Sequence, residues 1–265
     1  MKKNRWLIAL AAAGIHICIG SVYAWSVLTK LVMAEMGLSL SETTWAFSIA
    51  ILFLGLSAGF LGGIVERLGP RKSGLVSACF FASAMVGTAF AVYVKSAVLL
   101  YLFYGCIGGI GLGTGYITPV STLVKWFLAS RLCYGSGYYG IWICRSYCGT
   151  GHAVPYCDGR AGGEFPILAA VYAAVMALSA SYLRAPRPGE VVPCLQDVLK
   201  AEMEKGKKRT VLGPQLTRKA MRTWKWYALW WIFFTNITCG IGLLAVVSPM
   251  AQDVIGMAPP KRHPL

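Results

Sequence analysis

Charge is what this sequence has least of. Only 13% of its 265 residues are Asp, Glu, Lys or Arg, and 10 acidic residues stand against 25 basic ones. A soluble domain carries roughly 25% charged residues and roughly 45–50% apolar ones with glycine counted. Here the hydrophobic fraction is 57% before any of the 30 glycines is added. A single soluble globule is excluded by those numbers. Histidine is scarce too, at three residues. The apolar segments hold no paired carboxylates, nucleophile elbow or metal-spaced histidines, so neither an enzyme, nor a cofactor, nor a metal site is expected.

The charge that is present has a pattern. A net +15 would suit nucleic acid if it were spread over a face, but the basic residues sit in short clusters between long charge-free runs. That is how a membrane protein distributes charge, so the expected partner is a lipid bilayer and not a nucleic acid. The start Met1-Lys2-Lys3-Asn4-Arg5 resembles a secretory signal, yet the apolar run after it continues over 6–29 with no charge or clear cleavage site. It reads as an uncleaved span.

About 20 apolar residues cross the hydrocarbon layer. Runs 6–29, 43–65, 73–94, 96–124, a shorter 165–183, and 226–251 meet that test. Basic residues favour the cytoplasmic side of short loops. Lys2, Lys3, Arg5, Arg67, Arg71, Lys72 and Lys125 then fall inside, and Lys30 and Lys95 outside, which places the N-terminus in the cytoplasm.

The next stretch breaks this order. If 128–164 were only a cytoplasmic loop, the span 165–183 would run outward. It would put Arg184, Arg187, Lys200, Lys205, Lys207, Lys208 and Arg209 on the wrong side. One more crossing between 128 and 164 would repair the order, but that stretch carries Cys133, Cys144, Cys148, Cys157, Arg131, Arg145, Asp158 and Arg160. Three readings compete. Cys144, Cys148, His152 and Cys157 have the ligand types of a zinc knuckle, but their C-x3-C-x3-H-x4-C spacing departs from the usual C-x2-C start. A disulfide framework does not suit a reducing side of the membrane. The third reading is a displaced reading frame: permitted codons for 133–165, read one base over, encode an uninterrupted apolar, glycine-bearing helix of spanning length.

Small residues recur at helical spacing. Gly55, Gly59 and Gly63 repeat every four residues, as do Gly105, Gly109 and Gly113, and such faces let helices approach closely in lipid. The glycines of 108–115 follow no strand and do not fit G-x-G-x-x-G, so no nucleotide site is read there.

The turn GGIVERLGPRK (62–72) is more informative. Gly69 and Pro70 force a reversal, and Glu66 faces Arg67, Arg71 and Lys72 across a two-helix elbow, where a carboxylate can meet a guanidinium or a helix end. Simple positive-inside anchoring would explain the same residues. The pattern also resembles the signature between the second and third helices of major facilitator superfamily transporters, G-x-x-x-D-R-x-G-R-K. Glu66 stands for the Asp, and Pro70 is extra. The resemblance implies a conformational latch made of Gly62, Glu66, Arg67, Gly69, Arg71 and Lys72.

Further segments point to one branch. NRW (4–6), SVYAW (21–25), ERLGPRK (66–72), YGCIGGIGLGTGYITPVSTLVKWF (104–127) and LWWIFFTNITCGIGLLAVVSPMAQ (229–252) resemble the oxalate/formate antiporter family. The likeness covers 4–127 and about 165–257, not 128–164. It implies an all-α membrane protein with a truncated major facilitator fold, about six to seven of an expected twelve helices. Helices one to four would occupy 1–127. An aberrant cysteine-rich stretch, 128–164, stands in place of helix five, with helix six at 165–183. A basic central loop spans 184–225, either a short amphipathic helix near 192–205 on the inner membrane surface or a solvated charge run, and helix seven (226–257) and a tail (258–265) follow.

The implied activity is secondary-active transport of a small organic anion, a mono- or dicarboxylate, in the cell inner membrane. Aromatic residues on the first and fourth helices line the cavity in this family, and the matching positions are Tyr23, Trp25 and Tyr116. A phenol can donate to a carboxylate while its ring packs on the carbon skeleton. Interfacial or core aromatics are the plainer alternative. His16 is either a proton carrier or a neutral histidine bonded to a neighbour, and Asn236 suits a helix-to-helix hydrogen bond. No Arg or Lys lies mid-span between 6 and 124, yet a buried dianion needs a cation; in the oxalate-transporting relatives the other half supplies it. A rival expectation is therefore a non-transporting membrane fragment, or a half that assembles with a separately encoded C-terminal half.

Overall fold

The computed structural model describes residues 4–127, 161–186 and 222–254. Among them every regular element is helical. The first span starts at Asn4, whose side chain caps it by accepting the Trp6 N–H at 3.0 Å. Helix α1 (Arg5–Gly20) passes through one tight 3-10 turn, Ser21–Ala24, into α2 (Trp25–Met36). The Ser21 hydroxyl donates to the Cys18 carbonyl at 2.7 Å at the point of overwinding. Gly37 (φ 69°) ends α2, and Ser39 and Glu42 cap the next helix reciprocally.

That helix, α3 (Leu40–Val94), is 55 residues long and folds back on itself. The reversal is at Gly69 (φ 78°, ψ 162°), a backbone state that glycine adopts without a Cβ clash. Pro70 follows, with no N–H to lose and a φ preset for a helix start. The arms 40–68 and 70–94 are thus separate spans, and Lys95 in the left-handed region (φ 55°) terminates the second.

The next span is built from α4 (Ala97–Leu100), a π-helical segment Tyr101–Ile107, and α5 (Gly108–Phe127). Then come α6 (Ala161–Tyr182) and α7 (Trp224–Val254). Five of these helical units are long and apolar enough to cross a membrane, and the hairpin α3 is one of them, so the described residues hold six spanning arms. Helix six begins at Ala161 and helix seven at Trp224, a few residues before the apolar runs. The Cys144–Cys148–His152–Cys157 cluster, the helix expected near 192–205 and the tail 258–265 lie outside the described residues.

Glycines on the fourth span set the packing. A methyl group on Gly109 would lie 2.6 Å from the Ala50 carbonyl oxygen, and one on Gly113 would overlap Ser57; Gly105 abuts Ile49. The opposite side meets the second arm: Gly108 is against Ala84, Gly111 against the Phe81 backbone and Gly115 against Ser77. Ascending along α5, the first-arm partners ascend and the second-arm partners descend. The fourth span therefore runs parallel to the first arm and antiparallel to the second. Hydroxyls join these faces: Ser77 Oγ donates to the Gly111 carbonyl at 2.7 Å, Ser57 Oγ to the Gly109 carbonyl at 3.4 Å, and Thr118 Oγ1 to Ser73 Oγ at 3.1 Å.

Helix α6 closes the bundle, with Gly74 against Ala180, Gly14 against Ser179, and Tyr172 stacked on Phe81. At its end Trp126 Nε1 donates to the Arg184 carbonyl at 2.6 Å. Ile8, Ala12, Leu123 and Trp126 cluster there, with Ala9 and Tyr182 packed against them. The N-terminus and the ends of α5 and α6 thus share one end of the bundle. The chain leaves α5 at that end and enters α6 at the other. Outward faces are apolar, as at Leu52, Leu56 and Phe60 on the first arm and Val86 and Phe90 on the second.

Candidate functional site

One polar group sits between the first and fourth spans. His16 is 1% exposed, and its Nδ1 lies 3.1 Å from the Ala12 carbonyl. A carbonyl only accepts, so Nδ1 carries the proton and Nε2 is a bare acceptor. Among the described residues, Nε2 is buried with no hydrogen-bond partner. Leaving such a group unpaired costs roughly 1–3 kcal/mol.

The His16 ring meets Tyr116 of α5 edge to face, with centroids 5.8 Å apart and planes at 84°. Gly115, tight against Ser77 and Ile19, lets α5 approach here, and Tyr116 beyond it is turned out to 43% exposure. Tyr23, half-buried in the 3-10 turn, is close enough for its phenol to interact electrostatically with that of Tyr116. The structure therefore sets Tyr116 against His16, with Tyr23 in the 3-10 turn of the same span as His16.

Trp25 goes elsewhere. It is 1% exposed and stacks on Tyr104 of the π-helical segment, with centroids 4.0 Å apart and planes at 29°. Its Nε1 has no partner among the described residues. As placed, Trp25 is a core aromatic and lines no open surface.

At the 62–72 turn, Glu66 pairs with Lys125 of α5 at 3.4 Å. Among the described residues this is the ion pair Glu66 makes, in place of the expected one across the elbow to Arg67, Arg71 or Lys72, which are exposed. Register allows this: Gly62 of the first arm lies against Ile117 of the parallel fourth span, so residue 66 falls about one turn short of Lys125, within reach of the long lysine side chain. The Lys125 and Glu66 side chains are 45% and 60% exposed, and such a pair contributes about 0–1 kcal/mol.

The two glycine series part company. Gly105, Gly109 and Gly113 are in close helix contact, whereas around Gly55, Gly59 and Gly63 an added Cβ meets nothing within 4 Å. The latter face is open among the described residues, so packing there is not what the structure places. Asn236 is exposed on α7 and makes no helix-to-helix bond with a described residue. No group of three His, Cys, Asp or Glu able to hold a metal occurs among the described residues.

No protein-family model matches the chain. Several curated proteins are similar to part of it. An uncharacterized MFS-type transporter, YhjX of Escherichia coli (strain K12), is 28% identical over 145 residues, covering 53% of this chain and 35% of that protein. Monocarboxylate transporter 4 of Mus musculus is 31% identical over 44% of this chain and 25% of its own length. The oxalate:formate antiporter of Oxalobacter formigenes is 30% identical over 48% of this chain and 30% of its own length. The chain thus spans about a third or less of the relatives it matches. These relatives are transporters and not enzymes. The all-helical, multi-pass architecture is that of part of a major facilitator fold.

Proposed function

We propose that the chain belongs to a secondary-active transporter of a small organic anion, a mono- or dicarboxylate of the oxalate/formate kind, working by alternating access in the cell inner membrane with its N-terminus in the cytoplasm. One observation carries this reading: Tyr116 stands exposed on the fourth span with its ring against buried His16 of the first. Phenols donate to carboxylate oxygens, and their rings pack on a short carbon skeleton. Trp25 would reach a substrate with its free indole N–H only when its stack on Tyr104 opens. The turn Gly62, Glu66, Arg67, Gly69, Arg71 and Lys72 acts as the latch, with Glu66 and Lys125 tying the ends of the second and fourth spans. A weak, exposed pair suits a latch that must open in each cycle.

Purified chain in lipid vesicles is tested for uptake of labelled formate and oxalate. Uptake above empty vesicles is expected. Uptake equal to empty vesicles removes the transport reading for this chain acting alone and leaves the membrane-fragment reading, in which a separately encoded half must be supplied.

A further inference from the structure

His16 lies near the middle of the first span, and the nearest charged residues along the described chain, Arg5 and Lys30, are at that span's ends. It is therefore the side chain of the first span that can become a cation within the membrane. Among the described residues, the groups that the elements packed around it bring to it are uncharged. From α5 comes Tyr116, from the second arm of α3 the Ser77 hydroxyl beside Ile19, and from α6 Ser179, with Tyr172 and Tyr182 further along that helix. Cys18 and Tyr23 are on its own helical span.

The geometry dictates what can be added. Nδ1 is committed to Ala12, so the next proton goes to Nε2, where no described residue accepts from it. A lone imidazolium here would be a buried unpaired charge, which is strongly unfavourable. A carboxylate arriving beside Tyr116 turns it into a hydrogen-bonded ion pair. Neither ion is stable at this position without the other.

We propose that His16 Nε2 takes up one proton as a monocarboxylate binds beside Tyr116, so that proton and anion occupy the site together. The balance is simple: neutral imidazole, one proton from the aqueous phase and one carboxylate give an imidazolium–carboxylate pair, with no net charge added to the membrane interior. The Tyr116 hydroxyl donates to the second carboxylate oxygen. This inference rests on the transport reading and names its coupled ion.

Formate is the probe. Its binding to the full chain in detergent is measured calorimetrically near pH 8 in two buffers of different ionisation heat, which gives the protons taken up per formate. About one is expected for the parent chain, because histidine is mostly neutral there before binding. His16→Gln is expected to bind formate about tenfold or more weakly and to take up none, since a charge-assisted hydrogen bond is lost. A second readout does not depend on how that variant folds. In a chain carrying His152→Gln and His263→Gln, the 15N imidazole spectrum reports His16 alone, and formate should convert its bare nitrogen to a protonated one. Formate binding with undiminished proton uptake in His16→Gln, or with an unchanged His16 spectrum, overturns the His16 assignment and leaves the transport reading standing. No formate binding by the parent chain overturns both.

Discussion

The indole N–H of Trp126 donates to the carbonyl of Arg184 at 2.6 Å, and this bond joins the ends of α5 and α6. Both helices therefore finish on the side where the N-terminus begins, alongside the Glu66–Lys125 pair. Single cysteines placed at Asn4, Leu68 and Gly163 in a chain otherwise free of cysteine give the test. A membrane-impermeant thiol reagent should reach positions 4 and 68 from one face and 163 from the other. Labelling of all three from one face would contradict the helix directions.

The same bond bears on the reading frame. Phe127 and Ala161 stand at opposite ends of the bundle, and the sequence between them carries Arg131, Arg145, Asp158 and Arg160. Sequencing the gene across these codons is expected to show an apolar, glycine-bearing helix of spanning length in a neighbouring frame. Codons that read otherwise in both other frames end that explanation.

Glycines at equal spacing should respond in opposite ways. Gly109→Val forces a side chain onto the Ala50 carbonyl and Phe53, and overpacking of this kind costs about 1–3 kcal/mol. Gly59→Ala meets open space and removes chain freedom from a helix interior, so it should be neutral or stabilise by up to about 1 kcal/mol. Thermal unfolding in detergent distinguishes the two; equal losses would mean that the open face is packed.

Trp25 offers a test of its placement. Its Nε1 bonds nothing among the described residues, so Trp25→Phe loses no hydrogen bond and should cost far less than Trp25→Ala, for which about 3–5 kcal/mol is expected from a buried aromatic. Comparable losses in the two variants would show that the indole N–H has a partner.

The Glu66–Lys125 pair should matter to motion more than to stability. Glu66→Gln is expected to shift unfolding by less than about 1 kcal/mol, and less still in high salt, because both side chains face water. A loss of several kcal/mol would show the pair to be desolvated.

What could be read in advance was what composition and single residues decide. The spans follow from charge-free length, and the hairpin follows from Gly69-Pro70, which no ordinary residue pair would tolerate at φ 78°. What could not be read depends on which residues face each other between helices. Gly59 and Gly109 share the same spacing but only Gly109 has a neighbour, and that is decided by the register of α5 on α3. Glu66 finds Lys125 for the same reason. The π-helical segment that carries Tyr104 to Trp25 leaves the apolar pattern unchanged, so nothing in the chain announces it. His16 and Tyr116 are 100 positions apart, and their edge contact exists only after the first and fourth spans have closed around Gly115.

The most direct test of the account compares labelled formate uptake by vesicles containing the parent chain, Tyr116→Phe, or Tyr93→Phe. Tyr93 is a fully turned-out phenol at 85% exposure on the second arm, away from His16, and serves as the control. Losing one hydrogen bond to a carboxylate should lower uptake by roughly tenfold in Tyr116→Phe, while Tyr93→Phe keeps the parent rate. Equal rates in all three, above empty vesicles, would place the substrate path away from Tyr116 and contradict the site described for this chain.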